Sequence, residues 1–332
     1  SAIDGSDIRA ALPQLSSEAY ASAQGVLMQD SAATRNAANN RLQQAFGPVS
    51  SVAVAQASKD ASGTAAWVSM HNRWNKQSGN SNTARTSSTL DGFTMAVDTS
   101  LNQNWRLGVF AGYGHSSFKI RDRAASGSSN TYSLGAYAGS EWEVAGGALG
   151  LRSGLAYAWH DVDMKRSVAF AGFSDSLSAD YKAGTFQVFG EVGYKLNVSQ
   201  STVVEPYASV AYVRLHTDGF DEKGKNGVAL AVNSATMDTT LSTLGVRVAG
   251  SMDLGNAAVT ARADLGWRHA SGDVIPTSTA SFVAGSNNFV ALGNSIGKDT
   301  AWVETGFDVA LSKNAKFGVS YQGQFGSGLN QN

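Results

Sequence analysis

Apolar and polar residues alternate through eleven long segments that fill most of the chain after residue 63. Such alternation over many residues predicts β-strands with two chemically different faces. Many of the segments exceed the roughly five or six residues usual in soluble proteins and match a tilted membrane strand with an extension. The predicted strands are residues 64–77, 86–101, 105–120, 131–144, 149–167, 180–198, 202–217, 236–254, 257–273, 300–312 and 315–324.

The links between these segments alternate between short and long. Short links follow every second strand, at residues 102–104, 145–148, 199–201, 255–256 and 313–314. Long polar links follow the others, at residues 78–85, 121–130, 168–179, 218–235 and 274–299. Short turns at one rim and long loops at the other are typical of outer-membrane barrels. We therefore expect an all-β fold, a transmembrane antiparallel β-barrel.

Each strand has one apolar face and one face that mixes charge with glycine. A charge facing lipid costs roughly 2–4 kcal/mol near the bilayer midplane, so the mixed face is predicted to line the pore. The predicted pore-lining residues are Arg106, Arg152, Gln187, Glu191, Arg247, Arg268, Glu304 and Asp308. The predicted lipid-facing residues are Leu107, Val109, Tyr113, Leu155, Tyr157, Trp159, Tyr194 and Val246.

Residues 10–46 have a different period and read as helix, because Leu12, Leu15 and Ala19 begin a series at steps of three and four. Gly47-Pro48 ends the helical pattern. The second half of this helix is polar nearly all round, which requires a wet surrounding such as a channel. Glycines on the mixed face of the strands leave room for it, so we expect the helix inside the barrel. The predicted domains are a linker and pore helix over 1–62 and an outer-membrane barrel over 63–332.

Composition excludes several classes of function. The chain has 25 basic and 26 acidic residues, which argues against nucleic-acid binding, and no cysteine, which excludes disulfides and thiolate chemistry. Five scattered histidines lack metal-ligand spacing, so no metal and no cofactor are expected. The sequence contains no run of 18 apolar residues, so no membrane-spanning helix is predicted. The first ten residues lack the apolar core of a signal peptide.

Several stretches together resemble the translocator domain of type Va autotransporters. The helix Leu12-Pro13-Gln14-Leu15-Ser16-Ser17-Glu18 carries part of the resemblance, and the remaining stretches are Ala66-Trp67-Val68, Gly108-Val109-Phe110-Ala111-Gly112-Tyr113, Phe189-Gly190-Glu191-Val192-Gly193-Tyr194, Leu244-Gly245-Val246-Arg247, Trp267-Arg268-His269 and Ser320-Tyr321-Gln322-Gly323-Gln324-Phe325. The helix region is most similar to the subgroup whose passenger is a subtilisin-like protease.

The resemblance implies a twelve-stranded barrel in the outer membrane of a Gram-negative bacterium, with a helix through its pore. Such a domain secretes an N-terminal passenger and is then plugged by its own helix. Its implied partners are outer-membrane lipids, the barrel-assembly machinery and its own passenger, and it is expected to be monomeric. Only eleven strands are visible in the sequence, so we expect the last strand to be missing from this chain.

Asn39-Asn40 is the one candidate for chemistry. In some members of the family, an asparagine side chain attacks its own carbonyl at such a pair and releases the passenger. Glu191, Glu304 and Asp308 are the candidate acids, and Arg247 is the candidate counter-charge. The self-cleaving subgroup continues with a Leu-Asn-Lys-Arg type of run, whereas this chain has Arg41-Leu42-Gln43-Gln44. We therefore expect a polar lining and no catalysis.

Two other classes of protein fit parts of the pattern. A passive porin-like channel predicts a high steady conductance, which a helix in the pore would suppress. A soluble β-sandwich adhesin predicts a chain that stays monomeric without detergent, whereas an exposed apolar wall predicts aggregation.

Overall fold

The computed structural model describes residues 11–47, 55–59, 63–80, 83–170, 172–254, 257–312, 315–326 and 329–331. A short 3-10 helix, Leu12–Leu15, precedes the helices α1 (Glu18–Asp30) and α2 (Ala32–Phe46). Ser31 keeps helical dihedral angles between them and donates from Oγ to the carbonyl of Met28 at 2.7 Å. The two helices therefore form one nearly continuous rod. Among the described residues, no helix combines the length and the apolarity needed to cross a bilayer.

Long strands make up most of the remaining described chain. They are β1 (Ala55–Lys59), β2 (Ala65–Gln77), β3 (Thr86–Ser100), β4 (Trp105–Ile120), β5 (Ala125–Val144), β6 (Gly147–Phe170), β7 (Phe173–Asn197), β8 (Thr202–Thr217), β9 (Phe220–Asp221), β10 (Leu230–Val232), β11 (Ala235–Leu254), β12 (Ala257–Gly272), β13 (Thr277–Phe282), β14 (Phe289–Leu292), β15 (Asp299–Ser312), β16 (Ala315–Gly326) and β17 (Leu329–Gln331).

Twelve of these strands form a closed antiparallel ring. Its order is β2, β3, β4, β5, β6, β7, β8, β11, β12, β15, β16 and β17, and β17 pairs in turn with β2. All eleven strands that the sequence predicted are in this ring. A barrel is confirmed, and the two-layered sandwich is wrong because the sheet pairs with itself instead of with a second sheet.

The ring closes between β2 and β16, along a seam that contains the two short strands β1 and β17. The three-residue strand β17 pairs with residues 75–77 of β2, while β1 pairs with residues 65–68 of the same edge. Between them, the described residues supply no strand partner for residues 69–74 of β2 on that side. That a full-length final strand is absent stays a prediction.

Parts of two predicted loops, 121–130 and 168–179, are strands instead. Residues 125–130 belong to β5, and β6 and β7 extend to Phe170 and from Phe173. Serine, glycine and aspartate in these stretches obscured the alternation in the sequence. Neighbouring strands nevertheless pair with them in continuous register, and Val168 and Leu177 face inward at 0% and 2% exposure.

The two longest loops fold into a small cap over the barrel mouth. They contain β9, β10, β13 and β14, which form a separate four-stranded sheet. The cap covers α1, because Gln24 Nε2 donates to the carbonyl of Thr277 at 2.9 Å and Ser17 Oγ donates to that of Ser278 at 3.1 Å. Long loops therefore close one end of the cylinder around the start of the helix.

Candidate functional site

The helix lies inside the barrel and is enclosed on all sides in its first half. Every residue from Glu18 to Met28 is buried, although this stretch has no single apolar face. A helix at the surface of a globular protein shows one buried stripe, so burial around the whole circumference requires a surrounding wall. The prediction of a luminal helix is confirmed by its contacts with strands on opposite sides of the ring.

The helix runs from the long-loop end of the cylinder to the short-turn end. At its start, Glu18 accepts from Arg123 Nε at 2.5 Å beside the long loops. At its end, Lys195 Nζ donates to the carbonyl of Phe46 at 3.0 Å, close to the short turns, and pairs with Glu141 at 2.5 Å. The lysine charge is favourable there, because the last carbonyls of a helix carry partial negative charge. The 29 residues from Glu18 to Phe46 span about 43 Å at about 1.5 Å per residue, which matches the full thickness of a bilayer with its headgroups.

A buried network of ion pairs runs along the inner face of the wall beside α2. Arg152 donates from Nη1 to Glu191 at 2.7 Å and to Glu205 at 2.8 Å. Arg247 donates to Glu191 at 2.7 Å, to Glu205 at 2.9 Å and to Asp264 at 2.9 Å. All five side chains are at most 5% exposed. Both arginines are therefore shared between carboxylates, which offsets the desolvation of each charge.

The helix contacts this network through Gln43. The amide of Gln43, with its oxygen turned toward Arg247, accepts from the guanidinium at 3.1 and 3.2 Å. The guanidinium of Arg247 also stacks 3.6 Å from the ring centroid of Tyr207, whose hydroxyl donates to Asp264 at 2.9 Å. The network is thus tied to α2 by a neutral contact and to the wall by charged ones.

A second network attaches α2 to the opposite wall. Asp98 is fully buried and accepts from Arg41 of the helix at 2.6 and 2.9 Å, which is a bidentate pair. Arg106 of the wall donates to the same carboxylate at 2.7 Å. Tyr137 and Trp67 donate to it at 2.7 and 3.1 Å. Asp98 is therefore the most heavily bonded helix-to-wall anchor among the residues described.

Nearer the long-loop end of the lumen, two side chains of the wall hold the junction of α1 and α2 by hydrogen bonds. Gln187 accepts from Arg35 Nη1 at 2.7 Å and donates to the carbonyl of Ser31 at 3.0 Å. Arg73 donates to Asp30 at 3.1 Å and to the carbonyl of Gln29 at 3.0 Å. Gln187 and Arg73 of the wall therefore bond to backbone carbonyls of the helix as well as to its side chains.

The predicted pore-lining residues all lie on the helix side of the wall. Six are buried, namely Arg106, Arg152, Gln187, Glu191, Arg247 and Glu304, while Arg268 and Asp308 are half-buried. Asp308 accepts from Arg262 at 2.6 Å. Of the predicted lipid-facing residues, Leu107, Val109, Leu155, Tyr157, Trp159 and Val246 are between 38% and 62% exposed. Tyr113 and Tyr194 are half-buried against neighbours on the same outer face.

The structure brings most of the candidate cleavage residues to one cavity. Asn39, Asn40, Glu191, Arg247 and Glu304 line a luminal space of about 900 Å³ beside α2, and Asp308 lies outside it. Glu191 is bound by two arginines and so is a poor base. The arrangement supplies a polar lining to this part of the helix.

Sequence reasoning did not identify Asp98, Glu205 and Asp264. All three occupy inward positions of strands whose faces can be read from the alternation, so the signal was present in β3, β8 and β12. Their partners could not be read in this way, because partner identity depends on the register between strands.

A family model for the autotransporter beta-domain matches residues 66–322. The chain belongs to this family. The autotransporter beta-domain is an outer-membrane β-barrel of Gram-negative bacteria that translocates its linked passenger across that membrane.

Relatives of known sequence extend well beyond this beta-domain. An extracellular serine protease of Serratia marcescens is 30% identical over 98% of the chain, and a second from the same species is 29% identical over the same share. The chain spans about 30% of the length of each of these relatives.

Solved structures share the fold of this beta-domain. The translocator domain of NalP from Neisseria meningitidis aligns with a TM-score of 0.59 at 15% identity, over 92% of this chain and 94% of that one. The transport unit of AIDA-I from Escherichia coli gives 0.63 at 14%, over 89% and 94%. The beta domain of the Bordetella autotransporter BrkA gives 0.56 at 21%, over 81% and 94%.

Proposed function

We propose that α1 and α2 plug the lumen after secretion and occupy the track along which the passenger left. The observation that carries this proposal is the enclosure of residues 18–28 by the wall and cap. A chain that precedes the helix leaves the barrel at the long-loop end, which is the extracellular rim of such barrels. The direction of the helix therefore agrees with a passenger on the outside.

The domain division proposed from the sequence follows from this role. Residues 1–62 serve as linker and pore helix, and residues 63–332 serve as the membrane barrel. The predicted pore-lining set faces the helix and the predicted lipid-facing set contacts outer-membrane lipids. We also propose that the chain is inserted as a monomer by the cell's barrel-assembly machinery, because its exposed apolar wall would aggregate in water.

We propose that the passenger is an extracellular serine protease. The support is the similarity to the two Serratia marcescens proteins across nearly all of this chain. The test is to express the full gene and assay the culture medium for serine protease activity. Activity that is lost when the barrel is deleted supports the proposal, and a secreted passenger without protease activity contradicts it.

We propose that Asn39 and Asn40 act as polar lining and not as a cleavage site. Glu191 is neutralised by Arg152 and Arg247, so it cannot readily accept a proton from the attacking amide. Leu42 packs against the wall at Gly139, which holds the following turn of the helix in place. The beta-domain would then have no catalytic residue of its own.

Conductance in planar bilayers tests the plug. The refolded full chain should show low conductance, and a chain that lacks residues 1–50 should show a large steady conductance. Removal of residues 1–10 alone, which precede the described helix, is the matched control and should leave the pore closed. Equal conductance of the full and shortened chains would contradict the plug, and a large conductance in both would favour a passive channel.

A further inference from the structure

A basic patch lies on the outer face of the barrel near its long-loop end. Its members are Arg85, Lys119, Arg121 and Lys165. All four side chains are exposed. Lys119 points outward because it lies an even number of positions from Val109 in β4, and the same relation holds for Lys165 and Leu155 in β6. The patch therefore faces sideways from the cylinder, on the same wall as the lipid-facing residues.

The strand register brings these side chains together. Lys119 of β4 and Lys165 of β6 both lie directly opposite Ser126 of the intervening strand β5. Two strand spacings of about 4.8 Å separate the two lysines, so their side chains start about 10 Å apart. Arg121 follows Lys119 by two positions, and its backbone N–H donates to the carbonyl of Arg85 at 3.1 Å. The ladder between β3 and β4 therefore continues to the two arginines.

The four cations outnumber the carboxylates around them. In the described part of the chain, no ion pair joins any of the four to a carboxylate. Asp122 is exposed beside Arg121 and accepts from the backbone N–H of Arg85 at 3.3 Å. Asp163 lies two positions from Lys165 on the same face of β6. Like charges on neighbouring strands destabilise a sheet, so an anion that binds among these cations is favourable.

Other exposed cations of the outer face have carboxylates opposite them. Lys182 of β7 lies opposite Asp161 of β6. Arg214 of β8 lies opposite Asp238 of β11, with 3.7 Å between the charged groups. Lys119, by contrast, has serine as its partner on both neighbouring strands. The patch on β3 to β6 is therefore distinguished by charge from the outer face of β7 and β8.

The distance of the patch from the membrane restricts what it can bind. Tyr113 packs against Tyr132 on the outer face, with 5.4 Å between ring centroids, and such aromatic residues mark the membrane interface of these barrels. Lys119 lies farther along β4, about 20 Å along the strand and about 15 Å along the barrel axis at a tilt of about 40°. The headgroup layer of a bilayer is only about 5–7 Å thick on each side. The phosphate of an ordinary phospholipid therefore lies below the patch.

We propose that the patch binds phosphate groups on the saccharide of an outer-leaflet glycolipid. The long-loop end is the extracellular end of such barrels, so the patch stands above the outer leaflet. A phosphorylated saccharide that extends from its lipid anchor reaches the height of Lys119, whereas a phospholipid headgroup does not. Arginine forks match the oxygens of phosphate and lysines add point charges, so the patch suits a headgroup that carries several phosphates.

Binding of dye-labelled lipopolysaccharide, whose saccharide carries phosphates, tests the patch. Fluorescence anisotropy measures the affinity of the refolded full chain in an uncharged detergent. Lys119→Gln together with Arg121→Gln should weaken the apparent affinity by about tenfold or more, because two cations near an anionic headgroup are removed. Arg85→Gln together with Lys165→Gln should act similarly and serves if the first pair does not fold. Added salt should also weaken binding, because exposed charges are screened.

The matched control is Lys182→Gln together with Arg214→Gln. It removes two exposed cations of the outer face that already have carboxylates opposite them. This variant should change the affinity by less than about twofold, because charges more than about 8 Å away are largely screened at physiological salt. Equal losses of affinity in the two double variants would overturn the proposal, and so would a failure of the unchanged chain to bind the probe.

Competition separates the phosphorylated saccharide from other occupants. Unlabelled lipopolysaccharide should displace the probe, whereas phosphatidylglycerol and dephosphorylated lipopolysaccharide should not. Equal displacement by phosphatidylglycerol would contradict a ligand that extends above the bilayer, and equal displacement by the dephosphorylated glycolipid would contradict phosphate recognition. A photo-cross-linker at residue 121 should capture glycolipid in whole cells. Capture of the passenger in its place would assign the patch to the passenger and overturn the proposal.

Discussion

Replacement of Arg41 by glutamine should loosen the attachment of the helix to the wall. Arg41 makes a bidentate pair with the buried carboxylate of Asp98 at 2.6 and 2.9 Å. Hydrogen bonds to charged groups contribute about 1.5–3 kcal/mol each to stability. Because Arg106, Tyr137 and Trp67 still bond to Asp98, the carboxylate is not left unpaired. We therefore expect a loss of about 2–3 kcal/mol of unfolding free energy.

The matched control lies on the same helix. Arg35 makes one hydrogen bond to a neutral amide, at 2.7 Å, and has no carboxylate partner among the described residues. Arg35→Gln should change the unfolding free energy by less than about 1 kcal/mol. Comparison of the two variants separates the effect of the ion pair from the effect of shortening a luminal arginine.

Equilibrium unfolding by guanidinium chloride in detergent measures both variants, and a double-mutant cycle isolates the pair. Asp98→Asn alone strips the charge that faces Arg41 and Arg106 and should cost about 3–5 kcal/mol. The coupling energy between Arg41→Gln and Asp98→Asn should lie at about 1–3 kcal/mol. A coupling near zero, or equal losses in Arg41→Gln and Arg35→Gln, would refute the claim that this ion pair anchors the helix.

Three further outcomes are expected. Val109→Arg places a charge on the outer face, where Val109 is 62% exposed, and should lower the stability of the barrel in lipid by about 2–4 kcal/mol, whereas no loss in lipid vesicles would contradict a lipid-facing position. Cysteines at 330 and 76 should form a disulfide in the assembled barrel, because these residues are Cα partners across the seam, and no other cysteine competes with them. Failure to oxidise would argue against β17 as the closing strand. Asn39→Ala should leave the size of the secreted passenger unchanged on denaturing gels, and a passenger that stays attached only in this variant would establish cleavage at Asn39.

Much of the barrel was predictable because its period is imposed by the membrane. Side chains alternate between lipid and lumen in every strand, so residues such as Leu155 and Arg152 separate by position alone. Residues 125–130, 168–170 and 173–179 were misread as loops because serine, glycine and aspartate obscure the alternation of apolar and polar residues there. Their strand structure depends on pairing with neighbours in the extended β6–β7 hairpin.

The contacts of the helix were less predictable than its location. Its polar surface and the glycines of the wall indicated a luminal helix, but the partners of Arg41 and Arg35 depend on rotation and height within the barrel. Asp98 lies 57 positions after Arg41, and Gln187 lies 152 after Arg35, so no local pattern connects them. The pairing within the cap could not be predicted for the same reason, because β9, β10, β13 and β14 come from two loops that are distant in the sequence.

Disulfide trapping between the helix and the wall tests most directly whether the rod occupies the lumen. A Cβ atom at Gly139 would lie 2.7 Å from the side chain of Leu42, so cysteines at 42 and 139 should cross-link in the membrane-inserted chain. Cysteines at 42 and 138 are the control, because residue 138 lies on the outer face of the same strand and should not react. Cross-linking of the first pair alone is the predicted result. Free thiols at both 42 and 139 in the inserted barrel would contradict the account.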